Sequence, residues 1–265
     1  TQTYTGATTV SVDTTLTTTN SNVTFTGALD ADATERDLTI NTGGTTGTIL
    51  MSSVVGQTNE FDVIAITGNL DLDANIGADN FGTKGATSIS VSGTSNLGAN
   101  VTTSATQTYT GAVTLSGGAN TTLKGSTIQF GSTVAGGTED LKVDGIMDLN
   151  GAMTNVAILE VTGASDIGAD ISTTGIQTYT GAVTLSGAAR TLTATNNSAV
   201  LFSSTINGTQ DLTVATGGLT TFDGLVGNTA ILGAIDISGA GGLDLDAAIA
   251  LANGTAGAAS LDVNG

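Results

Sequence analysis

The stretch TQTYTGAVTLS, residues 106–116, decides how this chain reads, because it returns as TQTYTGATTVS at 1–11 and as IQTYTGAVTLS at 176–186. The copies begin 105 and 70 residues apart. Within the phrase Val113 and Leu115 alternate with Thr114 and Ser116, the period-two pattern of a strand with one apolar face. Val183 and Leu185 repeat it. A phrase of this length, returning with its flanking order intact, is the signature of a repeat architecture.

Working outward, each copy is followed by an apolar-x-Phe step: Val23-Thr24-Phe25, Ile128-Gln129-Phe130 and Val200-Leu201-Phe202. An acid and a short strand come next, at Asp37-Leu38-Thr39-Ile40, Asp140-Leu141-Lys142-Val143 and Asp211-Leu212-Thr213-Val214. Looser relatives are Ile89-Ser90-Val91, Leu159-Glu160-Val161, Ile235-Asp236-Ile237 and Leu261-Asp262-Val263. Gly-Gly, Asn-Gly and Asp-Gly pairs break the runs, supplying the positive φ that other residues resist. No helical spacing lasts beyond two turns.

Composition separates a solenoid from a row of sandwiches. Aromatic residues are 3% and Trp is absent, so the buried material is a thin column of Val, Ile, Leu and Ala with Phe25, Phe130 and Phe202 in its wider part. The chain has no Pro, which suits a parallel stack where almost every strand is central and needs its ladder donor. Modules of unequal length fit coils that are added one at a time. The expected fold is all-β: one continuous parallel β-solenoid over 1–265, with repeat modules 1–105, 106–175 and 176–265. With coils of roughly 20 residues it has about 13 layers spaced ~4.8 Å, a rod ~60 Å long. The chain starts and stops on repeat motifs and reads as a segment of something longer.

The QTYTGAVTL phrase and the DLTVATGG segment at 211–218 resemble repeats of filamentous haemagglutinin-type and autotransporter-like passenger proteins of Gram-negative surfaces. The resemblance implies a right-handed parallel β-helix, export across the envelope, and a stalk, adhesin or filament outside the cell. Cys is absent, which suits a fibre exported unfolded.

Several chemistries are closed or weakened. Without His or Cys there is no His-based triad and no His or Cys zinc site. Five cations, Arg36, Lys84, Lys124, Lys142 and Arg190, against 23 acids give a net charge of −18 and no basic patch for nucleic acid. No run approaches the ~18 apolar residues of a membrane helix. Two carboxylate pairs, Asp71 with Asp73 and Asp244 with Asp246, have the i, i+2 spacing that places both groups on one strand face. Both lie in repeated LDLDA phrases, however, which argues for a structural element over an active site. The chain is therefore read as no enzyme.

Calcium is the better chemical use of such acids. Asp71, Asp73, Asn75 and Asp79 offer closely spaced hard oxygen ligands, as do Asp30 and Asp32. The competing use is turn capping by Asp and Asn side chains. The partner expected from exposed strand edges is the chain itself, stacked head to tail or continued covalently. Host or surface glycans are the alternative, bound by loops at 42–60 and 75–85.

Overall fold

Strands of three to five residues bury too little to stand alone, so their apolar faces must be covered by the next coil. The computed structural model shows them doing so. It describes residues 1–44, 46–78, 85–118, 120–249 and 257–264. The described residues are all-β, every described strand pairing is parallel, and the coils stack as a β-solenoid. The chain divides into two compact units, Thr1–Val134 and Ala135–Gly265.

In Thr1–Val134 the chain visits three columns in a fixed order. The first stacks Gln2–Tyr4, Val23–Phe25, Thr48–Met51, Asn69–Leu72, Ser95–Leu97 and Val113–Leu115. The second pairs Thr8–Val10 with Leu29–Ala31, then runs through single bridges at Val55 and Ile76 to Val101 and Leu123. The third stacks Thr14–Thr17, Leu38–Asn41, Phe61–Thr67, Ala86–Val91, Thr106–Tyr109 and Thr121–Phe130.

Ala135–Gly265 is built the same way. Met153–Val156, Ile171–Thr173, Arg190–Ala194, Leu212–Thr216, Leu232–Ser238 and Ala258–Asn264 form one column. A second begins with the first half of Leu141–Leu149 and continues through Leu159–Val161, Gln177–Tyr179, Val200–Phe202 and Thr220–Phe222 to Leu243–Leu245. The third begins with the other half of Leu141–Leu149 and stacks Ser165–Ile167, Val183–Leu185 and Ile206–Gly208, ending in bridges at Val226 and Ile249.

The sharpest periodicity is a step of six. Leu141, Met147, Met153, Leu159, Ser165, Ile171, Gln177 and Val183 all face inward and are buried. Three residues of strand and three of corner make one edge, and three edges close an 18-residue coil. Where a corner is longer the coil grows, so Val23 pairs with Ile49 across 26 residues. Coil length is therefore not a uniform 20, and the turns number about 11 instead of 13.

This corrects the arithmetic of whole added coils. Gln2–Tyr4 and Thr106–Tyr109, equivalent in sequence, lie on different columns of the same unit. Nor are all strands short: Thr121–Phe130 and Leu141–Leu149 each run through a corner.

The Thr-Gly-Ala corner of the repeated phrase has a steric cause. A Cβ on Gly163 would lie 2.4 Å from the Gly145 carbonyl oxygen, and one on Gly181 would lie 2.3 Å from that of Gly163. These corners stack backbone on backbone, and only glycine leaves the room.

Candidate functional site

The repeated phrase builds the most elaborate side-chain arrangement in either unit. Gln107 faces inward between Ile89 and Ile128, and Gln177 between Leu159 and Val200; both are fully buried. An amide in an aliphatic ladder is costly unless its donors and acceptor are all used. The Gln107 Nε2 donates to the carbonyls of Val101 at 3.0 Å and Lys124 at 2.8 Å. The Gln177 Nε2 donates to the Thr193 carbonyl at 2.8 Å and to the Thr173 Oγ1 at 3.2 Å. In both, the Tyr two residues on donates its hydroxyl to the Gln Oε1 at 3.0 Å. Tyr109 and Tyr179 are buried with no exposed surface, and burial pushes both hydroxyls well above the usual phenol range.

The same tyrosines explain the apolar-x-Phe step. Phe25, Phe130 and Phe202 are the register partners, one coil on, of Tyr4, Tyr109 and Tyr179. The rings stack at centroid distances of 4.9, 6.0 and 5.1 Å. Sequence reasoning placed these Phe side chains in the core but missed the buried Gln. The signal was present, since Gln stands at the same place in all three copies.

The Asp and Asn residues have a shared geometry. Asn22, Asn69, Asn75, Asn100, Asp140, Asp170 and Asp211 each stand just before an inward residue. Each accepts, on a side-chain oxygen, a backbone N–H of the following coil, at Thr48, Thr94, Asn100, Thr122, Ile158, Thr191 and Ala234. They act as brackets between coils, the capping use extended from a turn to a stack.

The calcium candidates divide accordingly. Asp71 and Asp73 flank the buried Leu72 on the outward face of one strand end; Asp71 accepts from the Asn96 Nδ2 at 2.8 Å, and Asp73 is exposed. Asn75 is a bracket, its Oδ1 holding the Asn100 N–H at 2.9 Å. Asp79 lies outside the described residues. Asp30 brackets Thr58 at 2.9 Å. Asp32 is paired in a fork with Arg36, at 2.9 and 2.8 Å, which with the Thr34 N–H holds its carboxyl below the usual carboxylate range. Asp244 and Asp246 are both exposed. Among the described residues no group of three or more acids is gathered as a metal site.

The loop at 42–60 is less irregular than its sequence suggests, because Thr48–Met51 and Val55 both join columns. Its last residues, Thr58, Asn59 and Glu60, face Asp32 and Glu35 across a shallow polar recess. Of the loop at 75–85, residues 79–84 lie outside the described residues. No helix among the described residues is long and apolar enough to cross a membrane. Comparison with family models, curated proteins and solved structures finds no match to this chain.

Proposed function

We propose that this chain is a structural repeat segment of an extracellular bacterial surface fibre, presenting a Thr- and Asp-rich exterior and catalysing nothing. One observation carries this reading: the phrase the sequence repeats most faithfully is used inward. In the two buried copies, Gln and Tyr satisfy one another and the backbone, Phe stacks on Tyr, and Gly packs corner on corner. What recurs inward is architecture, while the outward positions of the phrase recur as threonine, at Thr114 and Thr184. Of the carboxylate pairs, Asp71 is engaged by the neighbouring coil's Asn96, while Asp73, Asp244 and Asp246 are exposed.

Impermeant biotinylation of whole cells producing the native polypeptide tests the location. Strong labelling at Lys142 is expected; labelling only after lysis would refute it. The adhesin reading is favoured by the polar recess between Asp32 and Glu60. Glycan-array binding that is lost in Glu35→Ala or Asn59→Ala would replace the structural reading; binding at background level is the expected result.

A further inference from the structure

Single exposed aliphatic side chains are ordinary on a protein surface, but a row of them marks a contact. Ala135–Gly265 carries such a row. Leu159, Gln177, Val200 and Thr220 are register partners on consecutive coils. The residues just before them, at the corner, are Ile158, Ile176, Ala199 and Leu219. Backbone bonds stack these positions: the N–H groups of Leu159, Gln177 and Val200 donate to the carbonyls of Ile176, Ala199 and Leu219 at 2.9, 3.1 and 3.0 Å. Ile158, Ile176 and Leu219 are 42%, 43% and 42% exposed. On the coil where the row holds only Ala199, the outward strand residue is Leu201, whose register partners are Thr178 and Thr221.

The row is specific to this corner. At the next corner of the coil the equivalent positions, before Met147, Ser165, Val183, Ile206 and Val226, hold Ile146, Ala164, Ala182, Thr205 and Leu225. The two large residues there stand at opposite ends, with small ones between. The ridge is also free of unpaired charge. The strands that follow it, Leu159–Val161, Gln177–Tyr179, Val200–Phe202 and Thr220–Phe222, carry one acid, Glu160, which the Lys142 Nζ holds at 2.6 Å. None of the three residues before any ridge position is charged.

We infer that this ridge is a lateral docking face, and that its occupant is the same ridge on a second copy of this chain. The inference rests on the structural reading above and names a partner alongside for it. Two properties of the ridge choose that occupant. It is periodic, with one position per layer of about 4.8 Å, and an identical ladder matches that spacing coil for coil. It is also neutral, and copies that each carry −18 can approach closely only where the facing strips bring no net charge. The contact is isologous, so it closes as a dimer. Three aliphatic side chains and their neighbours bury less than a standard interface, so the dimer is weak and reversible. Repulsion between the rest of the two chains opposes it, and salt, by screening that repulsion, strengthens it.

Sedimentation equilibrium of the purified chain, taken to millimolar concentration in low and high salt, tests this with variants at exposed sites. Wild type is expected to pass from monomer to dimer, with the dimer favoured by salt. Ile176→Asp, in the middle of the ridge, is expected to lose the dimer at every concentration where wild type forms it. Leu225→Asp adds the same charge at the other corner, on a residue 37% exposed, and is expected to keep the dimer. The double variant Ile176→Ala, Leu219→Ala adds no charge and is expected to lose it as Ile176→Asp does. Thermal unfolding of each variant is expected to match wild type at concentrations where all are monomeric, which shows that they fold. A wild type that stays monomeric throughout would overturn the inference and leave the structural reading standing, the aliphatic side chains then serving only to cover the corner backbone. A dimer that survives both ridge variants, or is lost equally in Leu225→Asp, would overturn it too. Cell labelling and glycan binding decide the structural reading separately.

Discussion

Gln177 stands where its column neighbours are Leu159 and Val200, and it is tolerated there because three atoms meet its amide and its carbonyl: the Thr173 Oγ1, the Thr193 carbonyl oxygen and the Tyr179 hydroxyl. Removing the amide strands the Tyr179 hydroxyl and the Thr193 carbonyl without water. Gln177→Ala is expected to lower stability in urea unfolding by about 2–3 kcal/mol, the cost of buried groups left unpaired. Adding Tyr179→Phe to Gln177→Leu removes one stranded donor with its acceptor and is expected to recover part of that loss. The tyrosines also give a pH signature. Their folded pKa values are raised, so the stability they contribute is complete below the ordinary phenol value of about 10 and is lost as pH rises beyond it. Thermal unfolding followed from pH 8 to pH 12 should show a falling midpoint above pH 10, with a shallower slope in the Tyr109→Phe, Tyr179→Phe double variant. The apolar strand residues and the phenylalanines of this arrangement were legible from the sequence. The tyrosines and glutamines were not read as buried, although both recur in every copy, because alternation alone does not separate a polar inward position from one facing water until its partners, far apart in sequence, are known.

Corners and brackets set the behaviour of single coils. Gly181→Ala forces a methyl group into the Gly163 backbone and is expected to cost about 1–3 kcal/mol, as overpacking does. Gly6→Ala, with nothing within 4 Å, is expected to leave the melting of the isolated chain unchanged. Asp211→Ala removes the acceptor for the Ala234 N–H, for an expected loss of about 1 kcal/mol. Asp211→Asn keeps an oxygen there and is expected to behave as wild type; equal losses in the two variants would show that charge, not acceptance, is what matters. Strand positions and glycine corners could be read from the sequence. The brackets could be read only as capping residues, since nothing local reveals that the N–H they hold belongs to the coil above.

At the scale of the whole molecule, the all-β parallel solenoid was legible because repetition and alternation both point to stacked coils. Coil length was not. Insertions at corners stretch some turns to 26 residues while the inward step within an edge stays at six, so equivalent phrases drift from one column to another. The calcium candidates Asp71, Asp73, Asn75 and Asp79 were chosen on spacing, which does not reveal that the Asn75 Oδ1 holds an N–H of the next coil; Asp79 lies outside the described residues. The central claim is that consecutive coils lie in parallel register, and the chain's lack of cysteine makes it directly testable by engineered cross-linking. Thr178 faces Leu201 one coil on, Leu201 faces Thr221 one coil further, and Thr24 faces Leu50 in the other unit. Adjacent parallel strands lie about 4.8 Å apart, within disulfide reach, whereas two layers exceed it. Oxidation is predicted to bridge Thr178→Cys with Leu201→Cys, and Thr24→Cys with Leu50→Cys, but not Thr178→Cys with Thr221→Cys. Two register pairs that stay reduced, or a two-layer pair that bridges as readily, would contradict the account.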